Sequence, residues 1–252
     1  MSRRRRLDAE LLRRGLVQSR TQASDAIDSR RVLVNGALAD KASRQVDPAD
    51  AIVIEGPPPR FVSRGGDKLD AALVAFGVSV EGLAVLDCGA STGGFTDCLL
   101  QRGASRVAAV DVGHGQLHPS VRLDDRVQVL ERYNVRDLDP DVIGGLVDMA
   151  VADLSFISLT RVIPAITRAC KPASHLVLLV KPQFEAGRQE VSKVKGVIVD
   201  PAIHARVKEE VAAALQANGC EVLGWVDSPI TGADGNREFL VHAVTARQGS
   251  QS

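Results

Sequence analysis

Ala84-Val85-Leu86-Asp87-Cys88-Gly89-Ala90-Ser91-Thr92-Gly93-Gly94-Phe95 decides how the larger part of this 252-residue sequence is read. A short apolar run enters a glycine-rich turn, and Phe95, Cys98 and Leu99 continue as the apolar face of a helix. Such a corner places backbone N–H groups and the positive end of a helix dipole against a bound anion. The next apolar run, residues 106–111, ends in the carboxylate of Asp111. Outward from there, strands are expected at 127–130, 147–152 and 176–180, with helices between them. Apolar strands alternating with helices predict an α/β fold, a doubly wound parallel sheet covered on both faces, with its ligand beyond the strands' carboxyl ends.

Two cofactor classes share this corner. Counted from Gly89, Ser91 stands where a dinucleotide fingerprint has its second glycine, the one that lets the backbone approach a pyrophosphate, which disfavours a nicotinamide dehydrogenase. A turn that merely packs helix on strand would account for the glycines and leave Asp111 unexplained. The arrangement D-x-G-x-S-x-G-G resembles the first motif of class I (Rossmann-like) methyltransferases. That resemblance implies a loop cradling S-adenosylmethionine (SAM), with the ribose hydroxyls donating to Asp111.

Composition narrows the rest. The 31 Lys+Arg and 31 Asp+Glu cancel, but residues 1–60 hold 12 basic and 8 acidic side chains, a net of +4, and residues 61–252 hold 19 and 23, a net of −4. This is a basic head on a mildly acidic body. No apolar run approaches the length of a membrane span, and MSRRRR is not followed by the apolar core of a secretory signal, so a cytoplasmic location is expected. Cys88, Cys98, Cys170 and Cys220 lack metal-ligand spacing and read as buried thiols, with no metal expected. Aromatic residues at 3% argue against a reader that stacks successive bases, so any RNA contact should be to shape and phosphate.

In the head, residues 7–16 carry Leu7, Leu11, Leu12 and Leu16 at helical spacing and stop near Gly15. Ser19 is suited to cap a second helix, Asn35-Gly36 signals a hairpin after 32–34, and 51–54 reads as a strand. A charge run is usually a solvated face. Here it is nearly all arginine, which suits bidentate contact with phosphate. The pattern LDxxLxxxGLxxSRxxAxxxI followed by VxVNG resembles the α+β S4 RNA-binding domain. With that resemblance, Arg3, Arg4, Arg5, Arg6, Arg13, Arg14, Arg20 and Arg31 become RNA-binding candidates. One departure is Arg30, where the family usually has glycine; if the position needs positive φ, arginine there costs stability.

Four polar residues stand at strand ends or beside glycine turns. Asp153 closes VDMAVAD, Lys181 closes HLVLLVK, Glu238 follows TGADGNR, and Lys68 lies within SRGGDKL. Singly they read as a helix cap, a snorkelling amine and a solvent-facing acid. Together they resemble the Lys-Asp-Lys-Glu set of the FtsJ-like RNA 2′-O-methyltransferases. A ribose 2′-hydroxyl keeps its proton at neutral pH, so a base must remove it as the oxygen attacks the methyl group in line with sulfur. Lysine serves only as the neutral amine. A second ammonium, partial burial and the sulfonium favour that form, and neighbouring carboxylates oppose it. Lys181 is assigned as base and Lys68 as its partner cation, with Asp153 and Glu238 orienting the amines and the hydroxyl.

MSRRRRLDAELLRRGL, FVSRGGDKL, LDCGASTGGFT, VDVGHGQL, VADLSFISL, LVKPQFE and GNREF follow one another in the order of the TlyA family of S4-containing ribosomal RNA methyltransferases, which the sequence resembles over nearly its whole length. The resemblance implies methylation of a cytidine 2′-hydroxyl in ribosomal RNA within assembled subunits, with SAM as cofactor and no obligate protein partner. It implies SAM contacts from Asp87, Gly89, Ala90, Ser91, Gly93, Gly94 and Asp111, with Asn134 beside the adenine and Gln183 and Phe184 shaping the pocket. Members that modify both subunits are generally longer after the last strand, so the large subunit is the expected target. Some members are called haemolysins, but no segment here suits insertion into a bilayer. The expected organisation is an RNA-binding domain at 1–55, a linker at 56–62, a methyltransferase domain at 63–246 and a disordered tail at 247–252. A non-catalytic RNA-binding or ribosome-assembly factor that retains SAM affinity is the rival, weakened by the presence of all four catalytic candidates.

Overall fold

Packing contacts divide the protein after Arg64 into two units, Met1–Arg64 and Gly65–Ser252. The structure, a computed structural model, describes residues 4–17, 19–28, 30–56, 59–194, 196–232 and 234–247. Arg3, Pro57 and Pro58 of the expected linker, and residues 248–252 of the expected tail lie outside the described residues.

In the first unit, β1 (Arg5–Arg6) leads into α1 (Leu7–Arg13) and α2 (Arg20–Asp28). Then come β2 (Val32–Val34), β3 (Ala37–Leu38), β4 (Gln45–Val46) and β5 (Ile52–Ile54). The order β3-β2-β5 forms a small antiparallel sheet, and β1 pairs with β4. The apolar stripe is narrower than its sequence suggests. Leu7 and Leu11 are buried with Ala23, Ile27, Val32 and Val34, whereas Leu12 and Leu16 are exposed. Gly15 at φ 68° ends the first helix and places Leu16 beyond it, and Leu12 lies about 100° round the helix from Leu11. Ser19 Oγ accepts from the Gln22 N–H at 3.1 Å, as a cap should. Asn35 and Gly36 both take positive φ, the geometry of a two-residue hairpin turn. Arg30 also sits at φ 56°, so the position does demand the left-handed region and arginine occupies it.

The second unit opens with α3 (Gly65–Phe76), β6 (Ala84–Cys88), α4 (Gly94–Gln101), β7 (Arg106–Asp111), α5 (Pro119–Arg122), β8 (Val127–Glu131) and β9 (Val147–Ala152). It continues through α6 (Ile163–Arg168), β10 (Cys170–Val180), α7 (Pro182–Glu185), α8 (Arg188–Lys193), α9 (Pro201–Ala217), β11 (Cys220–Asp227) and β12 (Phe239–Thr245). The seven strands lie in the order β11-β12-β10-β9-β6-β7-β8. Strands β6 to β10 run parallel, and Leu86, Val110, Ala150, Val151, Leu178 and Val180 are fully or almost fully buried, as expected of strands covered on both faces.

The sheet departs from the all-parallel expectation at one edge. β12 is antiparallel to both β10 and β11, since the short segment joining β11 to β12 cannot make a crossover. This inversion puts the start of β12 beside the end of β10, Phe239 facing Val180. The strand order reverses between β6 and β9, which opens a crevice at their carboxyl ends. Among the described residues no helix is long and apolar enough to cross a membrane and no three ligating side chains gather as a metal site. The four cysteines are buried.

Candidate active site

Glycine at two positions lets the crevice form. A β-carbon on Gly89 would stand 2.5 Å from the carbonyl oxygen of Asp153, where β6 and β9 converge, and Gly89 has φ 88°. Gly93, at φ 96°, precedes α4, and a β-carbon there would stand 2.9 Å from Leu117 Cδ1. Ser91 takes φ 47°, a strained value for a residue with a side chain, and is fixed there by its N–H donating to Asp111 Oδ2 at 2.8 Å. Asp111 Oδ1 accepts from the Gly113 N–H at 2.6 Å. Each carboxylate oxygen thus binds one backbone donor and keeps a lone pair for a further hydroxyl.

The cleft is lined by Gly89, Ser91 and Asp111 on one side and by Asp153, Leu154 and Ser155 on the other, with Phe156 at the rim. Ala90 joins Ser91 and Asp111 in an adjoining recess. Glycines that admit close backbone approach and a carboxylate with spare lone pairs fit a SAM-sized adenosyl ligand. Gly93 and Gly94 are buried where α4 begins and shape the loop from beneath.

Two expected contacts fall elsewhere. Asp87 has no exposed surface, so its carboxylate does not face the cleft; Oδ2 accepts from Thr96 Oγ1 at 2.6 Å and braces the first turn of α4. Burial pushes its acid up to about 7, against the Thr96 hydrogen bond and with help from the nearby charges of Asp153 and Asp111. Asn134 is absent from the cleft lining; its side-chain oxygen accepts from the Arg136 N–H at 3.0 Å and caps a short 3-10 turn, leaving Val135 to line the cleft.

The four catalytic candidates arrive at this edge as two ion pairs. Lys181, just past β10, pairs with Asp153 just past β9, and its Nζ also donates to Ser155 Oγ at 3.1 Å. Lys68, in the first turn of α3, meets Glu238 Oε2 at 2.5 Å, both side chains being nearly buried. Glu238 reaches this edge only because β12 runs antiparallel. The turn before it is equally tight: a β-carbon on Gly232 would stand 2.5 Å from Glu238 Oε1. Asn236, fully buried, accepts from the Ile198 N–H at 2.9 Å and donates to the Gly196 carbonyl at 2.8 Å, tying that turn in place.

Sequence reasoning passed over several residues of the site. Phe156 is 92% exposed at φ 65°, and its ring centroid lies 5.1 Å from that of Phe184. In so aromatic-poor a chain, a phenylalanine between Ser155 and Ile157, four residues beyond the end of β9, was the available signal. Glu185 was also missed. Its carboxylate accepts from Ser158 Oγ at 2.6 Å and the Leu159 N–H at 2.9 Å, which joins α7 to the loop after β9. Burial raises its acid above the ordinary glutamate value.

The head's arginines divide by what holds them. Arg14 binds Glu10 and the carbonyls of Asp47, Pro48 and Asp50, and Arg31 binds those of Glu55 and Gly56. These two are structural clamps rather than free phosphate ligands. Arg13 also pairs with Glu10, whose carboxyl its hydrogen bond holds down at about 2, and Arg6 pairs with Asp8. Arg4, Arg5 and Arg20 present exposed guanidinium groups.

Residues 61–245 match the model of the FtsJ-like methyltransferase family, and residues 5–52 match that of the S4 domain. The 16S/23S rRNA (cytidine-2′-O)-methyltransferase TlyA of Mycobacterium tuberculosis is 48% identical over 242 residues, covering 96% of this chain and 90% of that protein. A putative hemolysin from Streptococcus thermophilus has a solved structure that is 40% identical, with a TM-score of 0.77, covering 100% of this chain and 94% of its own. Magnesium protoporphyrin IX methyltransferase from Synechocystis, solved with bound S-adenosylhomocysteine, shares the fold at 18% identity and a TM-score of 0.52, over 76% of this chain and 90% of its own.

Proposed function

This chain belongs to the FtsJ-like methyltransferases that carry an S4 domain, the TlyA family, and from that premise we propose that it transfers the methyl group of SAM to the 2′-hydroxyl of a cytidine in ribosomal RNA. The supporting observation is the Lys181–Asp153 pair at the mouth of a cleft walled by Gly89, Ser91 and Asp111. When bound, SAM supplies an electrophilic methyl group on a sulfonium. Asp111 accepts hydrogen bonds from the ribose hydroxyls, and the glycine turn admits the rest of the ligand without a side-chain clash. Lys181 Nζ, once it has released its own proton, takes the proton of the attacking 2′-hydroxyl. Asp153 and Ser155 fix that amine at the strand end. Lys68 and Glu238, held buried against each other at the start of β12, orient the hydroxyl.

In the head, Arg4, Arg5 and Arg20 supply phosphate contacts that hold structured RNA, with assembled ribosomal subunits as the substrate and the cytoplasm as the place of action. Purified protein incubated with tritiated SAM and separated ribosomal subunits should label ribosomal RNA, and Lys181→Ala should reduce labelling by at least about a hundredfold, the usual contribution of a general base. No label with wild type, or equal label with the variant, would overturn the assignment.

A further inference from the structure

The loop between β7 and α5 is tied to two carboxylates that end neighbouring strands. Asp111 ends β7 and Glu131 ends β8, and the two are register partners. Asp111 binds the Gly113 N–H, while Glu131 accepts from the Gly115 N–H at 2.9 Å, from His114 Nδ1 at 2.9 Å and from Arg122. His114 must carry its proton on Nδ1 to meet a carboxylate there. With residues 113 and 115 fixed in this way, the Gln116 side chain folds back over Gly113. Its Nε2 and Asp111 Oδ1 stand 2.5 and 2.9 Å from the point where a Gly113 β-carbon would lie, so only glycine leaves room for this arrangement. Ser91 Oγ donates to Gln116 Oε1 at 3.2 Å, which fixes the carbonyl end of the amide and leaves the NH2 end beside Asp111. Gln116 lines both the cleft and its recess.

We propose that Gln116 is a second cofactor-binding group beside Asp111, its Nε2–H donating to a ribose hydroxyl oxygen of SAM, and that Glu131 is the positioning residue that holds the loop for it. A hydroxyl that donates its hydrogen to Asp111 is left with lone pairs that a carboxylate cannot satisfy, and an amide N–H can. The loop's two-point attachment means that Gln116 is placed before the ligand arrives, so little ordering entropy opposes the bond.

This rests on reading the cleft as a SAM site, and isothermal titration of the full chain with SAM and with S-adenosylhomocysteine separates the two claims. Gln116→Ala should weaken both ligands about three- to tenfold, the size of one neutral hydrogen bond. Glu131→Gln, which keeps the shape and loses the charge, should weaken them about threefold, with the unfolding midpoint unmoved and the loss falling on KM for SAM rather than on kcat. Glu131→Asp should recover part of it. Wild type that binds neither ligand would overturn the reading of the cleft itself. Wild-type binding with Gln116→Ala unchanged overturns the role of Gln116, and unchanged affinity in Glu131→Gln alone overturns the positioning role.

Discussion

Asp87 and His242 are both buried, and burial moves their titrations in opposite directions. The Asp87 acid rises from 3.8 to about 7, while His242, desolvated and facing His175, falls from 6.5 to about 4. Between about pH 4 and 6.5 native Asp87 holds a proton that the unfolded chain has released, so its contribution to stability declines as pH rises. Native His242 lacks a proton that the unfolded chain holds, so its contribution grows over the same window. Each slope is about 1.4 kcal/mol per pH unit, and the two offset. Replacing Asp87 by Asn removes one of them. Urea unfolding of Asp87→Asn should therefore show stability increasing from pH 4.5 to 6.5 by roughly 1 kcal/mol per unit relative to wild type. Parallel pH profiles for the two proteins would contradict it. Asp87 could be read from the sequence as a strand-end acid beside a glycine turn. The burial of its carboxylate could not, because burial depends on what covers β6 and α4 from elsewhere in the chain.

At the scale of elements, the active edge depends on close approach between segments distant in sequence. β6 and β9 converge at Gly89, where a methyl group would meet the Asp153 carbonyl at 2.5 Å and where φ is 88°. Gly89→Ala should abolish measurable SAM binding by calorimetry and lower stability by about 1–3 kcal/mol, from backbone strain and the displaced β9 end. α7 and the loop after β9 are joined through Glu185, so Glu185→Ala leaves the Leu159 N–H and Ser158 hydroxyl without their acceptor. A cost of about 1–3 kcal/mol in urea unfolding is expected, with Glu185→Gln retaining most of the stability. The strands themselves were readable, since five parallel strands and their intervening helices follow local apolar patterning. The inverted β12 was not marked in that patterning, and neither was the division of four polar residues into the pairs Lys181–Asp153 and Lys68–Glu238.

Over the whole molecule, the zero net charge conceals a basic head and an acidic body. RNA affinity of the full chain should fall linearly in log K against log salt concentration. Alanine at Arg4, Arg5 or Arg20 should reduce that slope by about one each where the side chain meets a phosphate. Arg14→Ala should leave the slope unchanged and instead destabilise the head by about 1–3 kcal/mol, since Arg14 serves Glu10 and three carbonyls. The sequence alone was enough for the order of the five parallel strands, the glycine corner, and the presence of Asp111, Asp153 and Lys181 at strand ends. Periodicity, glycine conformation and strand termini are local properties, set by residues a few positions apart. Tertiary structure alone decided that Asp87 is buried, that Gln116 lies over Gly113, that Arg14 and Arg31 are clamps, and that Lys68 meets Glu238 across 170 residues of chain. Desolvation and long-range pairing depend on which surfaces are brought into contact, and no neighbouring residue in the chain encodes that.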